Sequence, residues 1–92
     1  MLRRRARVAT ASGLHARPAS LVTGKVAAGG HPVQIARVGE QAVDASSILM
    51  LMGLKLKHGE EVELTSTSEA AEPLLDELAA LLESDLDLAG QA

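Results

Sequence analysis

The sequence predicts an α+β domain in which helices cover one face of an antiparallel sheet. Three observations predict it. Apolar residues recur at a period of about 2 in some segments and about 3.6 in others. These segments follow one another in the order β-α-β-β-α-β-α. The strand segments are few and short, and each has one apolar face, which calls for a single covering layer of helices.

The elements can be justified in turn. Over residues 2–9, Leu2, Arg4, Ala6 and Val8 fall on one side and Arg3, Arg5, Arg7 and Ala9 on the other, a strand signal that Arg4 weakens. The arginines read as the solvated face of that strand. Thr10-Ala11-Ser12-Gly13-Leu14-His15 has the composition of a loop. Ala16 to Ala28 then reads as a helix, with Pro18 in its first turn, where a missing N–H costs nothing. Ala19, Leu21, Val22, Val26 and Ala27 form its apolar stripe, and Gly29-Gly30 ends it. Pro32 opens a strand to about Val38, with Val33 and Ile35 on one face; Gly39-Glu40 turns the chain and Gln41 to Asp44 returns it as a hairpin.

Ser46 or Ser47 is placed to cap a short helix over Ile48 to Leu54. Gly59 precedes a strand from Glu60 to Ser66, where Val62 and Leu64 alternate with Glu61, Glu63 and Thr65. The last helix has Ser68 as its expected N-cap, Glu69 and Glu72 at the positive end of the dipole, and Pro73 in the first turn. Its stripe is Leu74, Leu75, Leu78, Leu81 and Leu82, and the tail from Asp85 reads as frayed. Residues 1–92 read as one domain without repeat or linker.

Composition narrows the function. Hydrophobic residues are 47 % of the chain and none is aromatic, so aliphatic side chains must fill the core. The lack of aromatic platforms and the net charge of −3 argue against a nucleic-acid partner despite Arg3, Arg4, Arg5 and Arg7. There is no cysteine, which removes thiol chemistry and cysteine zinc sites. His15, His31 and His58 lack metal-ligand spacing; no metal and no cofactor are expected, and His31 and His58 read as solvated loop residues. Met1 to Arg7 has the charge of a leader, but no apolar stretch follows, and no apolar run spans a bilayer. The expectation is a cytoplasmic protein, monomeric by default, without membrane insertion.

The informative segment is Ser12-Gly13-Leu14-His15-Ala16-Arg17-Pro18-Ala19. His15 lies just before a helix start. First-turn N–H groups, those of Ala16 and Arg17 among them, point out of that end, and the helix dipole adds partial positive charge. An anion such as phosphate is stabilised there. Arg17 adds a fixed charge and several donors, Ser12 a hydroxyl, and Gly13 a close backbone approach. A neutral histidine ring is also nucleophilic near pH 7. By itself, a histidine at such a position is usually a cap or a surface residue. No carboxylate lies nearby in sequence to orient the ring as in a triad.

Gly13-Leu14-His15-Ala16-Arg17-Pro18-Ala19 resembles the phosphohistidine motif of the HPr family, the histidine-containing phosphocarriers of the bacterial phosphoenolpyruvate-dependent sugar phosphotransferase system. Ser47-Ile48-Leu49-Met50-Leu51-Met52-Gly53-Leu54 is similar to the family's second signature, and Gly59-Glu60-Glu61-Val62-Glu63-Leu64 to the strand after it. The likeness spans about residues 2 to 85. It implies an open-faced β-sandwich, a four-stranded antiparallel sheet covered on one face by three helices. It also implies that His15 accepts a phosphoryl group from enzyme I through its δ nitrogen. Arg17 would stabilise that group, with Ser12 and Ala16 in the phosphate site. A sugar-permease A domain would receive it, so the protein is a stoichiometric carrier and not an enzyme.

Ser47 matches the family's regulatory serine, with Ser46 as the alternative register; an N-cap role needs no kinase. HPr kinase/phosphorylase and transcriptional regulators are the further partners that the resemblance implies. Leu14, Ile48, Leu49 and Met52 are the expected docking residues, with Leu49 and Met52 more exposed than Ile48. An adaptable methionine-bearing surface suits a carrier with several partners. Two other readings stand beside this one: a carrier of the nitrogen-related regulatory branch, and a regulatory binding module without phosphotransfer, against which the presence of both His15 and Arg17 argues.

Overall fold

The computed structural model describes residues 1–10 and 13–84. Over these the chain runs β1 (Leu2–Arg7), α1 (Ala16–Gly29), β2 (Gln34–Arg37), β3 (Val43–Asp44), α2 (Ile48–Gly53) and β4 (Glu61–Ser66), then a short 3₁₀ turn (Glu69–Ala71) and α3 (Glu72–Glu83). The strands form one antiparallel four-stranded sheet in the order β1-β4-β2-β3. Ser12 and the tail from Asp85, expected to be frayed, lie outside the described residues.

Register explains the two faces. Ala6 stands opposite Val62, and Ile35 opposite Leu64. These side chains join Val22 and Val26 of α1, Leu51 of α2, and Leu75, Leu78 and Leu82 of α3 in a single aliphatic core. The helices therefore lie on one side of the sheet. The other side is charged: Arg3 reaches Glu63 at 3.9 Å, and Arg5 reaches Glu61 at 3.7 Å and Glu63 at 3.8 Å. The arginines of β1 are thus the solvated sheet face that the alternation predicts. Arg4, the exception on the covered side, extends past the core edge, and its Nε donates to Asp76 Oδ1 of α3 at 3.2 Å.

Some boundaries differ from expectation for tertiary reasons. β1 ends at Arg7, with Val8 still bonded across to the approach of β4: the Val8 N–H donates to Glu60 O at 2.9 Å and the Gly59 N–H to Val8 O at 2.8 Å, before the Ala9 N–H turns to Leu82 O of α3 at 3.0 Å. The returning hairpin strand has only 2 residues. Ser68 precedes the 3₁₀ turn, and its side chain caps no helix. Its hydroxyl instead bonds His31 Nδ1 at 3.1 Å, so His31 is half-buried and tethered, not a solvated loop residue. His58 is exposed as expected, but its Nδ1 donates to Ala9 O at 3.2 Å. Among the described residues, no helix is long and apolar enough to cross a membrane.

Candidate functional site

The segment leading into α1 is built backbone against backbone. Gly13 has φ of +81°, and a Cβ placed on it would lie 2.6 Å from Leu56 O and 3.2 Å from Lys57 Cα. Only glycine takes this conformation and this approach without strain. The next residue is fixed by the same strand of contacts, the Leu14 N–H donating to Leu56 O at 2.9 Å. The Leu14 side chain is only 4 % exposed and belongs to the core. This corrects its expected place on a docking surface: the loop turns Leu14 inward, which leaves His15 to face out.

His15 is the N-cap of α1, with extended backbone (φ −90°, ψ −167°). Its carbonyl accepts the first helical bond, from Ala19 N–H at 2.9 Å, and its own N–H donates to Gly13 O at 3.2 Å. The side chain does not serve as the helix cap, and the first turn holds no acidic residue. His15, Ala16 and Arg17 are exposed, while Pro18 and Ala19 behind them are buried and anchor the turn. The start of a 14-residue helix, which carries partial positive charge and has no acidic residue in its first turn, thus lies beside an exposed imidazole and an exposed guanidinium. That arrangement can pair a nitrogen nucleophile with electrostatic stabilisation of an anion. Of the expected phosphate-site residues, His15, Ala16 and Arg17 come together here; Ser12 lies outside the described residues.

α2 packs beside α1. Its N-cap is Ser47, whose Oγ accepts from Met50 N–H at 3.3 Å. Ser46 is engaged elsewhere, donating to Asp44 Oδ1 from its hydroxyl at 2.7 Å and from its N–H at 2.9 Å. The Ser46 hydroxyl, and then its N–H, hold the Asp44 carboxyl below the usual carboxylate range. Ser47, not Ser46, is therefore the capping serine. Of the α2 side chains only Leu51 is buried. Leu49 is 81 % exposed, Met50 50 %, and Ile48 and Met52 both 37 %. The expected ordering holds for Leu49 and not for Met52, because a helix of 6 residues lying outside α1 exposes most of its circumference. Leu21 of α1, read above as part of the apolar stripe, is 45 % exposed, and Ala27 of that stripe is exposed too. The buried set Pro18, Ala19, Val22 and Val26 marks a narrower face that excludes them.

Behind the loop lies a polar clamp that no sequence motif signalled. Arg37, at the end of β2, donates from Nε to Glu60 Oε1 at 3.1 Å and Oε2 at 3.2 Å, and from Nη2 to Lys55 O at 2.9 Å. Glu60 Oε2 also accepts from Lys57 N–H at 2.9 Å. The hydrogen bond between the two side chains is the main cause that raises the Arg37 pKa and lowers that of Glu60.

Comparison with known proteins agrees with this geometry. Residues 2–84 match the family described as "PTS HPr component phosphorylation site". The chain is 44 % identical over 87 residues to the phosphocarrier protein HPr of Streptomyces coelicolor, covering 95 % of this chain and 94 % of that protein. It is 36 % identical over 77 residues to a multiphosphoryl transfer protein of Xanthomonas campestris, covering 84 % of this chain but 9 % of that protein. Among solved structures, the phosphocarrier protein HPr of Bacillus anthracis superimposes with a TM-score of 0.80 at 31 % identity, covering 88 % of this chain and 95 % of the other.

Proposed function

This chain belongs to the HPr family of phosphotransferase-system phosphocarriers, and from that premise we propose that it takes a phosphoryl group onto His15 from enzyme I, itself charged by phosphoenolpyruvate, and passes it to a sugar-permease A domain in the cytoplasm. The observation that carries this reading is the use made of the α1 start. Its N-cap side chain does not cap, and no acid occupies its first turn.

The chemistry is a displacement at phosphorus. The lone pair of the neutral His15 Nδ1 forms the new N–P bond as the bond from phosphorus to the donor breaks, and the donor keeps that electron pair. The proton on Nε2 stays in place. Transfer of this kind asks little covalent work of the protein; positioning and charge stabilisation supply most of the rate. Arg17 and the first-turn N–H groups face the three phosphoryl oxygens and hold their charge. A carrier must release its load, so exposed donors suit the task better than an enclosed site. Ile48, Leu49 and Met52 supply an apolar docking surface on the neighbouring helix.

The test is a pulse and chase. The chain is charged with phosphoenolpyruvate and enzyme I, followed by intact mass, and then mixed with a sugar-permease A domain. A single acid-labile, base-stable adduct should form and then move to the A domain. An adduct that stays on the chain through the chase contradicts a carrier role. Arg17→Ala should slow charging without unfolding the domain; an unchanged rate would remove the arginine from the mechanism.

A further inference from the structure

The position of the accepting loop depends on a residue that never touches it. Leu14, next to His15, is held through one backbone bond to Leu56 O, and Gly13 lies against the same carbonyl. Leu56 must therefore be fixed for His15 to be fixed. Its own segment is poorly suited to hold itself, because the preceding residue, Lys55, sits at φ of +53°, where side-chain-bearing residues are strained.

Two bonds compensate, one on each side of Leu56. Arg37 Nη2 donates to Lys55 O at 2.9 Å, and Glu60 Oε2 accepts from Lys57 N–H at 2.9 Å. The same two side chains bind each other, Arg37 Nε lying 3.1 and 3.2 Å from the Glu60 oxygens and Nη2 3.1 Å from Oε2. Their side chains are only 25 % and 32 % exposed, so solvent screens the pair less than it does the ion pairs of the open sheet face. Arg37 is itself anchored in the sheet opposite Val62.

We propose that Arg37, acting with Glu60, is a positioning residue for phosphoryl transfer: the pair grips the backbone on both sides of Leu56 and thereby sets where the His15 loop sits. The role requires a planar guanidinium, since one group must serve a carboxylate and a carbonyl together. Lysine keeps the charge but not that fork. The proposal rests on His15 being the phosphoryl acceptor.

The test is single-turnover charging by phosphorylated enzyme I at several enzyme I concentrations, on the full chain and on Arg37→Gln, Arg37→Lys, Glu60→Gln and His15→Ala. Loss of the clamp should lower the saturated rate about tenfold in Arg37→Gln, as small displacements of a reacting group do. The half-saturating concentration should stay unchanged, because Arg37 lies at the sheet and not on α2. Arg37→Lys should fall between Arg37→Gln and the unaltered chain. Glu60→Gln should slow charging too, and it carries the test if Arg37→Gln fails to fold. Amide exchange at Leu14 should speed up in these variants, with the Leu64 and Leu78 amides unchanged, which a general loss of stability would not produce. An unchanged saturated rate overturns the proposal, and so does a change confined to half-saturation or exchange that quickens everywhere. An adduct that survives His15→Ala overturns the carrier reading and this proposal with it; a normal adduct with an unaffected Arg37→Gln rate overturns the positioning role alone.

Discussion

Two helices in this molecule begin with a residue that can bear a phosphoryl group, and they use it in opposite ways. At α2 the N-cap Ser47 turns its hydroxyl onto the Met50 N–H and caps the helix. At α1 the N-cap His15 makes no such bond, and the next residues outward are an exposed alanine and an exposed arginine. One helix start is closed by its own side chain, and at the other that capping bond is not made by the N-cap side chain. The difference teaches that an N-cap position is not a site by virtue of the dipole alone; what matters is whether the cap residue has already used the donors.

The largest effect should come from closing the gap on which the α1 start depends. Gly13→Ala forces a Cβ into an unfavourable φ and within 2.6 Å of Leu56 O. We expect a loss of about 2–4 kcal/mol in denaturant unfolding, together with slower charging of the folded fraction. A loss below about 0.5 kcal/mol would show that the loop is not held against Leu56 as described.

A smaller effect is expected at α2. Ser47→Ala should cost about 1 kcal/mol of stability, with the saturated rate of charging at His15 unchanged, and Ser47→Asp should restore most of the loss because aspartate also caps. If Ser47→Ala slows charging as strongly as it destabilises, the two helix starts are coupled and do not act separately. If HPr kinase labels the chain, the label should vanish in Ser47→Ala; a label that instead depends on Ser46 would place the modified serine outside the cap.

The smallest effect concerns the carboxylates behind each start. Asp44 is held low by Ser46, and Glu60 by Arg37. A carboxyl whose folded pKa lies below its unfolded one contributes stability above the ordinary carboxylate range, and loses it as pH falls through the folded value. Melting temperature should therefore drop on acidification through and below that range. The drop should be shallower in Glu60→Gln, and a slope identical to that of the unaltered chain would show that Glu60 does not contribute to it.

Much of this was legible in sequence where the determining interactions are local. The alternation in β1 and β4, the stripe of α3 and the glycine stop after α1 all follow from periods and turn residues within a few positions. The place of His15 and Arg17 at the start of α1 is legible because Pro18 and the apolar stripe after it mark a helix start. The residues that depart from the sequence expectation do so through contacts that span the chain. Leu14 is buried because Leu56 captures its backbone, and Ser68 is drawn from capping by His31, 37 residues away. Arg37 and Glu60 are 23 residues apart, with β3 and α2 between them, and neither belongs to a motif. Leu21 is exposed although α1 touches both α2 and α3, because the face that α1 turns to the core is only as wide as Pro18, Ala19, Val22 and Val26.

The central claim is that His15 and no other residue bears the phosphoryl group, and site mapping tests it most directly. The chain has 3 histidines, so a charged sample digested under basic conditions and sequenced by mass separates them. The adduct is expected on His15 alone, attached at Nδ1 as read by phosphorus–nitrogen coupling, and is expected to be absent altogether in His15→Ala. An adduct on His31, His58 or Ser47, or one that persists in His15→Ala, would contradict it.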